Sequence, residues 1–139
     1  MERCAILHVE DQDASACLFR AALDQADIGV SVYRVSDGEQ ALAFLNKVGI
    51  YQGARRPDLV VLDLNMPRLD GWTVLRSVKE NERLRDIPIV VLSTSQSPED
   101  RNRAMALGAR QYLTKPGDFD DLVRMIARLC AEFLPQTVG

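Results

Sequence analysis

The sequence predicts an α/β domain in which helices cover both faces of a five-stranded, doubly wound parallel sheet. Short apolar runs alternate along the chain with longer segments of helical periodicity, which is typical of this class. Two of the runs, Leu59–Leu62 and Ile89–Leu92, are aliphatic throughout, as expected for strands buried on both faces. Because five strand–helix pairs use most of the 139 residues, we expect one domain.

The early part of the chain predicts two helices between its strands. The first predicted helix, Ala14–Asp27, has Asp13 available as its N-cap, and its expected buried face comprises Cys17, Leu18, Ala21, Ala22 and Ala26. The second runs from about Asp37 to Lys47 and carries Ala41, Leu42, Phe44 and Leu45. The five predicted strands of the whole chain are Cys4–Val9, Val30–Val35, Asp58–Asp63, Ile87–Ser93 and Arg110–Thr114.

Three more helices are predicted in the second half. One begins near Trp72, and the next ends before Gly108, a residue suited to the position after a helix C-terminus. The last, about Asp118–Phe133, has the clearest apolar stripe in the sequence. The connection Val48–Arg56 is longer than usual and is a candidate for a specific role.

Composition excludes several classes of protein. The chain has 17 Lys and Arg against 20 Asp and Glu, a net charge of −3, and 47% hydrophobic residues. This balance argues against a disordered chain and against a basic nucleic-acid binder. No run approaches the roughly 20 apolar residues that cross a bilayer, and no signal peptide is recognisable, so we expect a cytoplasmic protein with no membrane partner.

The cysteines and the C-terminus suggest no additional module. Cys4, Cys17 and Cys130 lie far apart in the sequence among apolar neighbours, so each is expected to be a buried small hydrophobe in a reducing compartment. We expect residues 1–134 to form the domain and residues 135–139 to be a short tail, with no output domain.

Polar side chains follow four of the five predicted strands. Glu10 and Asp11 follow the first, Asp63 ends the third, Ser93 ends the fourth and Lys115 follows the fifth. In a doubly wound sheet these carboxyl ends meet at one rim, where ligands bind. Carboxylates this close repel one another unless a cation lies between them, and oxygen ligands without His or Cys favour Mg²⁺. Any one of these acids alone would be equally compatible with a turn or a helix cap.

His8 is the only histidine, and it lies within an apolar strand just before the acidic pair. A single imidazole without partners makes a poor catalytic group. We therefore expect a structural role for it.

From Cys4 to Phe133 the sequence resembles the receiver domain of the two-component response regulator family. The matching motifs are Ile6–Asp11, Asp58–Pro67 followed by Asp70-Gly71, Val91–Thr94 and Tyr112–Pro116. The resemblance implies a flavodoxin-like fold with strand order 2-1-3-4-5. It also implies that Asp63 is the phosphoacceptor for a sensor histidine kinase and that Mg²⁺ is the cofactor.

The same resemblance implies roles for the remaining site residues. Glu10, Asp11 and Asp63, with the backbone carbonyl of Asn65, would hold Mg²⁺. Lys115 would hold a phosphoryl oxygen, and Ser93 and Tyr112 would form the switch that reshapes the face of the fourth helix, fifth strand and fifth helix. Glu10 replaces the commoner Asp, and Ser93 replaces the commoner Thr while keeping the hydroxyl.

A narrower resemblance links the chain to the small response regulators that partner bacterial phytochromes. It rests on the long loop Gly49–Asp58, on Gly38–Leu45 and on Ser93–Ser95. It implies a bacteriophytochrome kinase as a candidate partner and homodimerisation through the last two helices and the tail. The downstream partner would be a protein target or a phosphotransfer protein.

Three alternatives carry different functions. A haloacid-dehalogenase-like phosphohydrolase also uses a strand-end Asp with Mg²⁺, but it needs a second acid where this chain has Asn65. A pseudo-receiver would keep the fold without being phosphorylated, although the set of site residues is intact. Nucleotide binding is disfavoured because an acidic segment, and no glycine-rich loop, follows the first strand. We therefore predict a signalling protein that catalyses only its own phosphorylation and slow dephosphorylation.

Overall fold

The computed structural model describes residues 4–64 and 70–135. Its strands are β1 (Cys4–Val9), β2 (Val30–Val35), β3 (Leu59–Leu62), β4 (Ile89–Ser93) and β5 (Gln111–Thr114). Its helices are α1 (Asp13–Gln25), α2 (Gly38–Asn46), α3 (Gly71–Glu80), α4 (Pro98–Ala106) and α5 (Phe119–Phe133), with a short 3-10 turn at Gly49–Tyr51. All strand pairs are parallel, and the order β2-β1-β3-β4-β5 confirms the predicted fold.

Each face of the sheet has its own hydrophobic core. One core joins the sheet to α2, α3 and α4 through residues such as Phe44, Leu75 and Val78. The other joins it to α1 and α5 through residues such as Phe19, Ile126 and Leu129. Both faces of β3 and β4 are buried, as their continuous aliphatic sequences predict.

Strand β3 is one residue shorter at each end than its predicted range, Asp58–Asp63, although both flanking acids still bond β1. The Asp58 carboxylate accepts a hydrogen bond from the backbone N–H of Ala5 at 2.8 Å, which fixes the amino-terminal edge of β1. Asp63 lies beyond the last paired residue, and its own N–H bonds the Val9 carbonyl at 3.0 Å.

The predicted buried face of α1 is wrong at three positions. Cys17, Leu18 and Ala21 are exposed, and the residues buried against the sheet and α5 are Ala16, Phe19, Ala22 and Leu23. The helix is apolar over most of its circumference, so the sequence is compatible with more than one buried face. Packing of Phe19 decides which face is buried.

The predicted start of α1 is wrong in one respect, and the predicted end of α4 is confirmed. The predicted N-cap Asp13 is instead the first residue of α1, and Gln12 is the N-cap. The Asp13 carboxylate pairs with Arg34 at 2.6 Å and does not cap the helix. Gly108 follows α4 with φ of 107°, as the sequence predicts for the residue after the helix C-cap.

The three cysteines have different environments. Cys4 and Cys130 are buried, as predicted, and burial raises the pKa of the Cys130 thiol to about 11. Cys17 is exposed because it lies on the outer face of α1, so the expectation that all three are buried is wrong. Only the thiolate reacts readily, and Cys130 is therefore protected both by burial and by its protonation.

The long connection after α2 is ordered by aromatic packing. The Tyr51 ring lies 5.4 Å from that of Phe44, between ring centroids, and anchors the 3-10 turn to the core. Helix α2 is followed by its C-cap residue Lys47, whose backbone is left-handed with φ of 56°. Within residues 4–64 and 70–135, every helix is too short or too polar to cross a bilayer.

Candidate functional site

Three carboxylates meet at the carboxyl ends of β1 and β3. The register pairs Val9 with Leu62, so the residues that follow, Glu10 and Asp63, are neighbours across the sheet. One carboxylate oxygen from each of Glu10, Asp11 and Asp63 lies within 4.8 Å of the other two. Glu10 is 1% exposed and Asp63 is 8% exposed, so little water is available to screen their repulsion.

Lys115 brings a positive charge into this cluster. Its backbone N–H bonds the Ser93 carbonyl at 2.7 Å, which fixes the end of β5 beside β4. Its Nζ atom lies 2.7 Å from Glu10 Oε1 and 3.4 Å from Asp63 Oδ2. The ammonium thus bridges two acids that come from different strands.

The pKa values of the pair reflect burial and mutual contact. Burial raises the pKa of the Glu10 carboxyl, and the hydrogen bond from Lys115 opposes this rise. Burial alone would lower the pKa of the Lys115 ammonium, but its hydrogen bond to Glu10 and the charge of Asp63 raise it above its ordinary value. Lys115 is therefore charged at neutral pH.

The acidic cluster is chemically suited to a hard divalent cation. Asp11 Oδ1 is buried and has no hydrogen-bond partner among the described residues. A buried carboxylate oxygen without a partner is costly, and a cation would satisfy it. One lysine leaves the three carboxylates with excess negative charge, and carboxylate oxygens are the ligands that Mg²⁺ prefers.

A hydrogen-bonded chain connects this rim to β5. The fully buried Ser93 hydroxyl accepts a bond from the backbone N–H of Ser95 at 3.1 Å. The carbonyl of Ser95 accepts a bond from the Tyr112 hydroxyl at 2.9 Å, and its side chain donates to Asp100 of α4 at 2.7 Å. The loop after β4 therefore contacts the rim, β5 and α4 together.

His8 lies behind the rim in a structural environment. It is 3% exposed, and its ring stacks on Phe19 with centroids 4.1 Å apart. Burial, with the charges of Lys115 and Arg34, lowers its pKa to about 3. The imidazole is thus neutral at physiological pH, which agrees with the predicted structural role.

Two residues that position the acids were assigned no role from the sequence, although Gly71 belongs to one of the matching motifs. Arg34 of β2 donates from Nε to the Glu10 carbonyl at 3.0 Å and fixes the backbone after β1. No local motif indicates this residue, because the contact depends on the pairing of β1 with β2. Gly71 lies against the backbone of Asp63 and Leu64, and its N–H bonds the Leu64 carbonyl at 3.1 Å.

Six of the seven residues predicted for the site lie in the described ranges. Glu10, Asp11, Asp63 and Lys115 form one cluster, and Ser93 and Tyr112 belong to the adjoining chain of hydrogen bonds. The seventh, Asn65, lies outside the described residues.

Comparison with known proteins identifies relatives over almost the whole chain. The family model of the response regulator receiver domain matches residues 6–127. The response regulator Rcp1 of Synechocystis sp. is 40% identical over 121 residues, which cover 87% of this chain and 82% of Rcp1. A crystal structure of the Mn²⁺-bound form of Rcp1 gives a TM-score of 0.86 at 36% identity, covering 98% of this chain and 99% of that one.

Two further solved structures are similar over their full length. That of the phosphorylated cyanobacterial phytochrome response regulator RcpA has a TM-score of 0.90 at 35% identity, covering 99% of this chain and 98% of RcpA. That of the bacteriophytochrome response regulator AtBRR has a TM-score of 0.81 at 33% identity and covers 100% of both chains. The chain is thus similar to phytochrome response regulators in sequence and in fold.

Proposed function

Because this chain belongs to the response regulator receiver family, we propose that it accepts a phosphoryl group on Asp63 from the phosphohistidine of a sensor histidine kinase. The observation that carries the proposal is the contact of Lys115 with Asp63 at 3.4 Å inside the acidic cluster. The phosphorylated structure of the relative RcpA supports it. The protein then acts as a signalling phosphoacceptor, and its catalysis is limited to its own phosphorylation and slow dephosphorylation.

We propose that Glu10, Asp11 and Asp63, with the carbonyl of Asn65, hold Mg²⁺ during this reaction. The unpartnered Asp11 oxygen and the clustered carboxylates support this assignment, as does the Mn²⁺-bound form of Rcp1. The bound cation would neutralise charge on the incoming phosphoryl group.

The residues of this chain account for the transfer step. An Asp63 carboxylate oxygen attacks phosphorus, forming the acyl phosphate as the bond from phosphorus to the histidine nitrogen breaks. The Lys115 ammonium, which already contacts the Asp63 carboxylate, is positioned to hold an oxygen of the transferred group. Positioning and charge stabilisation supply most of the catalysis in such transfers.

The hydrogen bonds after β4 support a route from Asp63 to the protein surface. Once Asp63 is modified, the Ser93 hydroxyl would donate to a phosphoryl oxygen. The loop that holds Ser95 would move with it, together with Tyr112, which bonds the Ser95 carbonyl. We propose that this movement reshapes the α4-β5-α5 face and changes the binding of a downstream protein or phosphotransfer protein.

The direct test is detection of the phosphoryl adduct by intact-mass spectrometry after incubation with acetyl phosphate. A single adduct is expected with Mg²⁺ and none in the presence of EDTA. Beryllofluoride binding in the presence of Mg²⁺ would be a second readout of the same site. Absence of both the adduct and beryllofluoride binding would favour the pseudo-receiver.

Replacing Lys115 with alanine is expected to destabilise the metal-free protein by about 1–3 kcal/mol, because the buried Glu10 carboxylate would lose its ion-pair partner. Mg²⁺ should restore part of this stability by supplying the missing positive charge, so it should raise the melting temperature more in Lys115→Ala than in the wild type. Lys79→Ala is a matched control, since the Lys79 ammonium bonds the Arg85 carbonyl away from the acids. Equal Mg²⁺ responses in the three proteins would contradict the assignment.

We propose a bacteriophytochrome kinase as the phosphoryl donor, a cytoplasmic location and a homodimeric state. The likeness to AtBRR and RcpA supports the choice of kinase class. Phosphotransfer from a radiolabelled bacteriophytochrome kinase should label the wild type within minutes, and light scattering should show twice the 15.5 kDa chain mass. A chain that stays unlabelled, or one that is monomeric at micromolar concentration, would contradict the respective proposal.

A further inference from the structure

A second charged cavity lies at the opposite end of the sheet from Asp63. Its volume is about 190 Å³, and it is lined by Leu45, Asn46, Lys47, Arg56, Arg83 and Leu84. Lys47 follows α2, Arg56 precedes β3 and Arg83 precedes β4, so these residues lie near the amino ends of the strands. The acidic rim is at the carboxyl ends, and the two sites share no residue.

The cavity is positively charged, whereas the whole chain carries a net negative charge. Three cations line it, and the described lining residues include no carboxylate, although the net charge of the protein is −3. Such a local excess of one charge attracts ligands of the opposite sign. The buried side chains of Leu45 and Leu84 form an apolar part of its lining.

Backbone geometry distinguishes two of the three cations. The Arg56 guanidinium donates to the Arg83 carbonyl, which joins the segment before β3 to the segment before β4. Lys47 adopts a left-handed backbone with φ of 56° and ψ of 49°, a conformation that favours glycine. A lysine there costs stability relative to glycine, and such strain is common where a side chain serves function.

Exposed aliphatic side chains follow Lys47 in the chain. Val48 comes directly after it and is 57% exposed, and Ile50, two residues further, is 90% exposed. The turn that carries them is anchored by Tyr51 on Phe44, so these side chains are presented by an ordered segment. A surface that combines a basic cavity with adjacent aliphatic residues suits a peptide that has both acidic and apolar residues.

We propose that this cavity and the turn beside it bind an acidic segment of a partner protein. A carboxylate of that segment would enter between Lys47, Arg56 and Arg83, and a neighbouring aliphatic side chain would pack on Val48, which follows Lys47. Charge complementarity carries the choice of an acidic occupant, because three cations and no carboxylate are among the described lining residues. A peptide would also cover the exposed Val48 that follows Lys47, which a free anion would not. The inference does not depend on phosphorylation of Asp63.

The chain offers variants that separate binding from folding. Lys47→Gly removes one cation and places glycine where the backbone is left-handed, so it should raise the melting temperature by about 2–4 °C. Asp27 has the same φ of 56°, and Asp27→Gly should also stabilise the protein without touching the cavity. A loss of binding in the first variant alone therefore reports the side chain and not the fold.

The test is an NMR titration of the ¹⁵N-labelled chain with the acetylated, amidated peptide Glu-Glu-Leu-Glu-Glu. We expect saturable shifts of the backbone amides of Asn46, Lys47, Arg83 and Leu84. Affinity should fall about threefold to fivefold in Lys47→Gly, as for loss of one exposed ion pair, and remain unchanged or rise in Asp27→Gly. A peptide with Gln in place of Glu should not bind.

Other results would overturn the proposal. Shifts elsewhere, or equal affinity in Lys47→Gly and the wild type, would exclude the cavity as the binding site. If inorganic phosphate shifts the same amides while the peptide does not, the cavity is a small-anion site. If phosphatidylserine vesicles bind in a Lys47-dependent manner while the peptide does not, the surface binds lipid.

Discussion

Replacing Asp63 with asparagine is expected to abolish the phosphoryl adduct formed from acetyl phosphate and Mg²⁺. The amide is a far weaker nucleophile than the carboxylate, and Glu10 and Asp11 are not expected to substitute for it. Glu10 is 1% exposed and is already bonded to Lys115 at 2.7 Å. The intact mass of the variant should therefore match that of the untreated protein, where the wild type gains one phosphoryl group.

The same variant should be more stable than the wild type, although it loses phosphorylation. In metal-free buffer Asp63→Asn should be more stable than the wild type by about 1 kcal/mol, because one of three mutually repelling carboxylates is removed. Lys115 keeps its shorter bond to Glu10. Mg²⁺ should stabilise the variant less than the wild type, which gains about 2.7 kcal/mol when the metal is at 100 times its dissociation constant.

Asp58→Asn is a matched control for this experiment. Asp58 lies just before β3 and Asp63 just after it, and the Asp58 carboxylate accepts the Ala5 N–H. An asparagine oxygen retains that acceptor, so phosphorylation should be unchanged. An adduct on Asp63→Asn would show that Asp63 is not the acceptor. Loss of the adduct in Asp58→Asn while that variant remains folded would show that loss of the adduct does not by itself identify the acceptor.

Replacing Gly71 with alanine is expected to destabilise the fold by about 1–3 kcal/mol, the range for steric overlap in a packed region. A Cβ atom at this position would lie 2.6 Å from Leu64 Cα and still closer to the Asp63 carbonyl oxygen. Both contacts are backbone atoms, so no flexible side chain is available to move away. Without this overlap, alanine would be favoured over glycine in the helix α3 that begins here.

The backbone shift that relieves the overlap should also impair the site. Asp63 would move relative to Glu10 and Lys115, so labelling by acetyl phosphate should slow even at temperatures where Gly71→Ala is fully folded. Chemical denaturation and the rate of adduct formation measure the two effects separately. Wild-type stability with wild-type labelling would show that the Asp63–Leu64 backbone does not need this close approach.

Gly53→Ala controls for the general effect of adding a methyl group. Nothing lies within 4 Å of a Cβ atom built at Gly53, and its φ is not in the left-handed region. The expected change is within about 0.5 kcal/mol of zero. A loss comparable to that in Gly71→Ala would mean that steric overlap is not the cause.

The sequence determined much of the fold through hydrophobic pattern. Strands β1, β3 and β4 are buried runs whose neighbours in sequence are helical, and this alternation suffices for a doubly wound sheet. The sequence also shows which strands end in an acidic residue, a hydroxyl or a lysine. Parallel strands place their carboxyl ends at one edge, so the rim of Glu10, Asp63 and Lys115 follows from the order of residues.

The hydrophobic pattern did not predict the buried face of a helix when more than one face fits the same periodicity. The apolar residues of α1 allow Cys17 and Leu18, or Ala16 and Phe19, to face inward, and packing against α5 and the stack of Phe19 on His8 select the second arrangement. The contacts of Arg34 with the Glu10 carbonyl and of Gly71 with the Asp63 backbone also join separate segments.

The chain alone thus determined which chemical groups are present and on which strand ends they lie. Contacts between distant segments set how the Lys115 ammonium is shared between Glu10 and Asp63 and leave Asp11 with a buried oxygen that has no partner among the described residues. They also bring Lys47, Arg56 and Arg83 to one cavity. The physical reason is range: periodicity reports burial within one element, whereas electrostatic and steric contacts depend on distances between elements far apart in sequence.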